Sequence, residues 1–565
     1  MNLSWTGGEM KKMTQFIPLL IFILSVVSLS AQQTVGLFLN DSLAFNGYTL
    51  LAPNSSTFTY LLDNCGEVVH SWPSNYRPGN VAYLLENGNL LHTGRINSSF
   101  NSGGSGGRIE LIDWDGNLVW GYNYSSATFH QHHDVEYLPN GNILLIAWES
   151  HSRAEAIEAG RNPNLASNNG LWTERVVELE PVGSNQANVV WQWRLWDHLI
   201  QDFDSSKANF GVVSDHPELV DINFQTGGAN NADWIHLNAV DYNPALDQII
   251  LSSRSLSELW VIDHSTTTEQ ASGHSGGSAG QGGDLLYRWG NPLAYGRGTT
   301  DGQQLFNQHD VHWVEEGLLD AGRIMAFNNG LARPNGNYSS VDIIEPPLDE
   351  NGRYSLEEGQ SYGPDFLFWT YRAQPLNAFF SANISGAQRL PNGNTLICEG
   401  REGRLFEVDY QGNMVWEYIN PVRSTGPVSQ GTNITNNDVF RAYRYAPDFL
   451  AFEGKTLEPQ GRLELNPLPS DCVVYGNPVS SSHTPKELAG VRVLANPVGA
   501  QLLLENETGV RLRLQVLGLT GQRVANDWIH PGFSRLPAEV WAQGLYLLRI
   551  DDPESGRYFV EKIVK

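Results

Sequence analysis

At 565 residues the chain is too long for one ordinary core, and its formal net charge of −26 denies it the basic face a nucleic-acid binder needs to displace counterions. Three cysteines exclude a disulfide-framework scaffold, and their spacings match no zinc site. Fifty-six glycines, 17 tryptophans and many short Val/Ile/Leu runs, with no long helical apolar period, point to a large all-β body.

Lys11 and Lys12 precede an apolar run from Phe16 to Val27 that ends in the small residues before Gln32. This predicts a signal peptide over residues 1–31, cleaved near Ala31; a membrane anchor is the rival reading. No other stretch is apolar and long enough to span a bilayer, so the mature chain is expected to be soluble and secreted or held at the cell surface.

A repeat then occupies residues 32–475. Aromatic strands end at or contain Trp72, Trp120, Trp191 and Trp193, Trp289, Trp369 and Trp416. Between them recur strand, turn and strand units that start near Val81, His133, His236, His309, Ser385 and, more weakly, Phe440. Asn-Gly turns fold such units into tight hairpins, because Gly and Asn accept positive φ at little cost. Four short strands per unit, repeated six times, describe a six-bladed β-propeller. In the second unit the strands are expected at His133–Leu138, Asn142–Trp148, Arg175–Glu180 and Asn188–Arg194. The last unit lacks its outer strands, while three spare strands lie between Tyr48 and Trp72, so the ring is expected to close with strands from both chain ends. Closure would bring Cys65 towards Cys472, which favours a disulfide over two free thiols in an oxidising compartment. Cys398, in the buried pattern TLICEG, reads as a small core residue.

His133, His236 and His309 recur near the heads of three successive inner strands. The stretch from Asp233 to Arg254 adds Asn238 to His236 and, across a turn at Asn243-Pro244, sets Arg254 at the end of the next strand. Three imidazoles and a guanidinium at one channel mouth would form an anion site. By simple alternation, His132 and His312 would point the opposite way, and which of the adjacent His132 and His133 faces the site stays open. His70, His130, His151, His198 and His264 read as structural. The GHSGG match to a nucleophile elbow at Gly273 lies in a low-complexity stretch read as a flexible loop with no following helix, and Asp113-Asp115-Asn117 lacks the glutamate of a calcium loop. The recurrent tryptophans read as packing between blades rather than a quinone-cofactor signature. No metal or cofactor is expected.

Residues 476–487 form a linker, and residues 488–565 read as a small immunoglobulin-like β-sandwich. Its Asn496-Pro497, Leu519-Thr520-Gly521, Gly544-Leu545-Tyr546 and terminal KIVK resemble the C-terminal sorting domain of type IX secretion substrates in the Bacteroidota. That resemblance implies the type IX machinery as a partner and export to the surface or medium.

The His236-x-Asn238 pair with Arg254, the Gln308-His309-Asp310 stretch and the propeller context resemble bacterial aryl-sulfate sulfotransferases over roughly Tyr48 to Tyr475. The resemblance implies transfer of a sulfuryl group from a phenolic sulfate ester to a phenol, without a nucleotide donor. No P-loop is visible in the sequence. It implies His309 as the nucleophile, His236 and His133 as assisting imidazoles, and Asn238 and Arg254 as holders of the sulfuryl oxygens. Two features that some members of the family carry are missing: a close-spaced cysteine pair near the site and a separate N-terminal β-domain. The alternative is a non-catalytic surface propeller that binds glycans or proteins.

Overall fold

The computed structural model describes residues 32–224, 231–349, 352–476, 488, 490–494, 496–518, 523–552 and 558–565. The expected signal peptide and nearly all of the expected linker lie outside them.

The described chain is built almost wholly of antiparallel strands. Six sheets of four or five strands lie between Gly36 and Tyr445, each with one strand innermost. The inner strands are Pro78–Leu84, Phe129–Tyr137, Leu237–Asn243, His309–Trp313, Gly386–Arg389 and Val439–Tyr445. Each touches the next, and the last touches the first. In the second sheet the strands run Phe129–Tyr137, Ile143–His151, Leu171–Val182 and Gln186–Arg194, longer at most ends than alternation suggests. The sixth sheet takes its inner strand from Val439–Tyr445 and its other three from Tyr48–Pro53, Phe58–Leu62 and Val68–Pro73. A further strand, Gly36–Asn40, pairs with Met414–Ile419 on the edge of the fifth sheet, where sequence reading placed none.

Hydrophobic burial explains why the sheets stand face to face. Leu91, Ile109 and Trp120 of the first sheet pack on Val135, Leu145 and Val177 of the second. Equivalent clusters join second to third, third to fourth, fourth to fifth and fifth to sixth. Leu50, Leu61 and Trp72 of the sixth sheet then pack on Ala82, Leu84 and Leu90 of the first. Most of the recurrent tryptophans sit inside these interfaces; Trp120, Trp193 and Trp416 are at most 2 % exposed. Cys65 and Cys472, 407 residues apart in sequence, are joined by a disulfide, and Cys398 is a buried free thiol.

The C-terminal strands form two sheets of their own, one of three strands and one of four. Leu512, Leu514 and Val516 alternate with the more exposed Arg513 and Gln515, which puts one face of the four-stranded sheet onto a core with Leu502, Leu504, Leu548 and Ile563. The stretch around Gly273 differs from expectation. It is fixed by a short capped helix at Thr268–Ala271 and by the bonds Gly282 N–H to Gly276 O and Gly283 N–H to Gly273 O, so it is not a loose loop.

Candidate active site

The inner strands bend at the level where the histidines lie. Pairing slips between Val135 and Gln131, between Leu237 and Val240, and between His309 and His312, so each of these strands carries extra residues against its partner. The backbone is left-handed at His133 (φ 51°), His236 (φ 55°), Asp310 (φ 52°) and Ile384 (φ 50°). Such conformations cost non-glycine residues roughly 1–3 kcal/mol each and gather where structure is spent on function. The bulges overturn the alternation argument: His132 and His133 do not point to opposite faces, because Nδ1 of one lies 2.8 Å from Nδ1 of the other.

The rings of His133 and His236 meet edge to face at 4.7 Å between centroids. Phe440, from the sixth inner strand, lies between His133 at 5.8 Å and His309 at 6.2 Å. All three expected imidazoles thus converge. The ring of His133 lies against the backbone of Gly104, whose φ is +87°; a Cβ there would stand 1.9 Å from the imidazole carbon Cε1.

Each histidine has one nitrogen anchored. Asn329 donates its amide hydrogens to Ser381 O and Ile384 O, which turns its oxygen towards His309 Nδ1 at 2.7 Å. Nδ1 of His309 therefore carries the proton and Nε2 the lone pair, which accepts a long 3.2 Å bond from the Ile384 N–H. Burial, then the charge of Arg254, holds His309 well below the usual histidine range, and the Asn329 bond only partly offsets this. Burial likewise depresses His133, helped by His236 and His132. Both rings are neutral at ordinary pH, as a nitrogen nucleophile must be. His236 Nδ1 is 2.5 Å from Asp233 Oδ2, which Ser102 also contacts; Trp148 donates to Asp233 Oδ1 at 3.2 Å. Burial opposes the charge on Asp233, but His236 and Ser102 more than offset it and keep it a carboxylate.

Arg254 lies opposite His236, its N–H on His236 O at 3.3 Å. Its half-buried guanidinium has no hydrogen bond or ion pair among the described residues, and burial lowers its pKa. Asn238 is fully buried and spends its amide N–H on Gln308 O at 2.8 Å. It thereby tethers the residue before His309. Beneath the histidines, Arg441 is ion-paired to Asp134 at 2.6 Å and Asp310 at 3.1 Å and donates to Asn238 O at 2.8 Å. Asp233, Asn329, Arg441 and Glu174 were not singled out by sequence reading as parts of the site; His132 was, as the alternative to His133. Away from this centre, His198, His274 and Asp284 place three possible ligand atoms within 4.8 Å, but Asp284 Oδ1 accepts hydrogen bonds of 2.8 Å from Nδ1 of both rings, which accounts for the cluster.

The described residues thus bring two neutral imidazoles, His133 and His309, together with His236 and the guanidinium of Arg254, to one part of an all-β scaffold. The chain belongs to the arylsulfotransferase (ASST) family, whose model matches residues 11–437, and at family level its activity is aryl sulfotransfer. No curated protein matches the sequence. Among solved structures, it is similar to a protein of unknown function from Bacteroides caccae, with 12 % identity over 71 % of this chain and 98 % of that one and a TM-score of 0.38. It is also similar to virginiamycin B lyase from Staphylococcus aureus, with 8 % identity over 68 % and 88 % of the two chains and a TM-score of 0.30. Neither likeness is close enough to carry over a substrate or a mechanism.

Proposed function

We propose that the protein transfers a sulfuryl group from a phenolic sulfate ester to a phenolic acceptor through a sulfohistidine at His309. The observation that carries this reading is the single tautomer imposed on a buried, neutral His309, with Nδ1–H on Asn329 and the Nε2 lone pair engaged only by the long 3.2 Å bond from the Ile384 N–H. In the first step the Nε2 pair displaces the Ile384 amide, forms the N–S bond, and the S–O pair leaves with the phenol. In the second, an acceptor phenol takes the group and His309 is restored. By analogy with phosphoryl transfer, charge spreads over the sulfuryl oxygens, so catalysis rests on positioning and on the charge of Arg254. Asn238 contributes by holding Gln308.

We read the six sheets as blades of a six-bladed propeller over residues 32–475, closed by strands from both ends; the cyclic contacts and the mixed sixth sheet support this. Residues 488–565 are proposed as an immunoglobulin-like sorting domain for type IX secretion, after a signal peptide at 1–31, with the mature protein secreted or at the cell surface. Deletion of 488–565 should abolish export while the remaining chain keeps its activity.

The test is release of nitrophenol from its sulfate ester with and without added phenol. Phenol-dependent turnover, sulfate labelling of the wild type and no labelling of His309→Asn are expected. Near wild-type transfer by that variant would refute the nucleophile assignment. No turnover with any aryl sulfate would favour a surface module that binds glycans or proteins.

A further inference from the structure

Behind His133 lie two buried groups that the transfer scheme leaves unused, Glu174 and His132. Glu174 Oε2 lies 2.8 Å from His132 Nε2, and His132 Nδ1 lies 2.8 Å from His133 Nδ1. Glu174 and His132 are wholly buried, and His133 is 2 % exposed. The ring of His132 stacks on Trp148 at 4.0 Å, which fixes its plane, and Glu174 Oε1 accepts the Leu237 N–H at 2.9 Å, next to His236. His133 Nε2 has no partner among the described residues. With both rings neutral, two hydrogen bonds in series leave two proton arrangements, one with Glu174 as a carboxylic acid and one, a proton fewer, with Glu174 as a carboxylate. Either every proton points from Glu174 towards His133, making Nε2 a donor, or every proton points back, making Nε2 an acceptor.

We propose that Glu174, His132 and His133 form a proton relay that protonates the leaving phenolate and later recovers the proton from the acceptor; this rests on the transfer reading above. At rest the Glu174 carboxyl O–H donates to His132 Nε2, His132 Nδ1–H donates to His133 Nδ1, and His133 Nε2–H faces the centre. As the S–O bond breaks and its electron pair passes to the phenolic oxygen, that oxygen takes the Nε2 proton. His133 Nδ1 takes the proton from His132 Nδ1, and His132 Nε2 takes the one from Glu174. One proton has left, both rings remain neutral, and the negative charge rests on Glu174, where the Leu237 N–H meets it. The acceptor phenol reverses each move when its O–H proton passes to His133 Nε2 and its oxygen bonds to sulfur. Electrostatics agree with the resting state: burial, then Asp233, pushes the Glu174 carboxyl well above the usual carboxylate range, while burial holds His132 well below its own. His236 with Asp233 is then free to bind the sulfuryl oxygens.

His132 and Glu174 act through His133 and so are positioning residues. The test is the dependence of kcat/KM on the leaving phenol, from nitrophenyl sulfate to phenyl sulfate, whose phenol has a pKa near that of tyrosine, about 10. General-acid assistance is worth about 10²–10⁴-fold and matters most for poor leaving groups. Glu174→Gln, nearly isosteric but unable to yield a proton, and His132→Phe, which keeps the stack on Trp148, are both expected to lose at least about tenfold more rate with phenyl sulfate than with nitrophenyl sulfate. An equal loss across the series would mean a structural role and overturn the relay, as would no loss. If the wild type transferred from none of the esters, the transfer reading itself would fall, and the relay with it.

Discussion

Replacing Arg254 by Met should separate stability from function. Met keeps the stem and removes the charge. In the folded protein that charge is half-buried and drawn only towards Asp233, with no hydrogen bond or ion pair among the described residues, so its desolvation is poorly offset. Its removal should leave the melting temperature unchanged or higher. For a bound sulfate ester the account reverses. A guanidinium 4 Å from a unit negative charge contributes about 4 kcal/mol at an effective dielectric of 20, and discounting by half for solvent access leaves about 2. At about 1.4 kcal/mol per decade, kcat/KM should fall roughly 30- to 1,000-fold. Arg254→Lys should fall between, since an ammonium keeps the charge but not the fork. The assay pairs kcat/KM for nitrophenyl sulfate with thermal melts in the presence and absence of sulfate ion, which should stabilise the wild type more than the Met variant. A variant whose stability drops in step with activity, or one with wild-type kcat/KM, would refute the reasoning.

Gly104→Ala should cost stability about 1–2 kcal/mol for an L-residue in the left-handed region, and activity more than that, because its Cβ would collide with the His133 ring; paired melts and rates measure both. His309 and His133 have folded pKa values depressed below the unfolded value of about 6.5, so kcat/KM should hold steady as pH falls through 6.5 and decline only below it. Because the unfolded state binds more protons there, these two residues should also lower stability as pH falls from about 6.5 towards their folded values, which denaturant titrations at stepped pH would reveal. Cys472→Ser should lower stability by about 2–4 kcal/mol, checked by melts with and without reductant, with kcat little changed because Cys65 lies in the turn between the two outer strands of the sixth sheet.

The scaffold was legible because two-residue alternation and Asn-Gly turns are written locally. Val81 to Gly94, for example, reads as a hairpin and folds as one. The edge strand Gly36–Asn40 was not, because it follows no repeat and is defined only by its partner 376 residues or more away. In the candidate site, His133, His236 and His309 were legible as recurrent residues at equivalent positions, and Arg254 as the end of the strand that pairs with that of His236. Their partners were not: Glu174 reaches the site from the third strand of its sheet, Asn329 from the end of another strand, and Arg441 from the far end of the chain. No local pattern marks a residue whose role is set by a contact across sheets.

The alternation rule failed at His132 for a reason that bears on catalysis. A regular strand can show only every second side chain to the centre, so adjacent histidines could never be hydrogen-bonded to each other and face one site. The left-handed residue at His133 and the slipped register beside it remove that limit, and they do so in a strand whose Val135 is locked into the packing between two sheets. The strain of roughly 1–3 kcal/mol at each such residue is therefore borne by the apolar interfaces around it, not by the polar site. A site held this way has little freedom to reorganise. That suits the proposed relay, in which protons move along fixed hydrogen bonds rather than with swinging rings, and for which neutral rings serve better than charged ones.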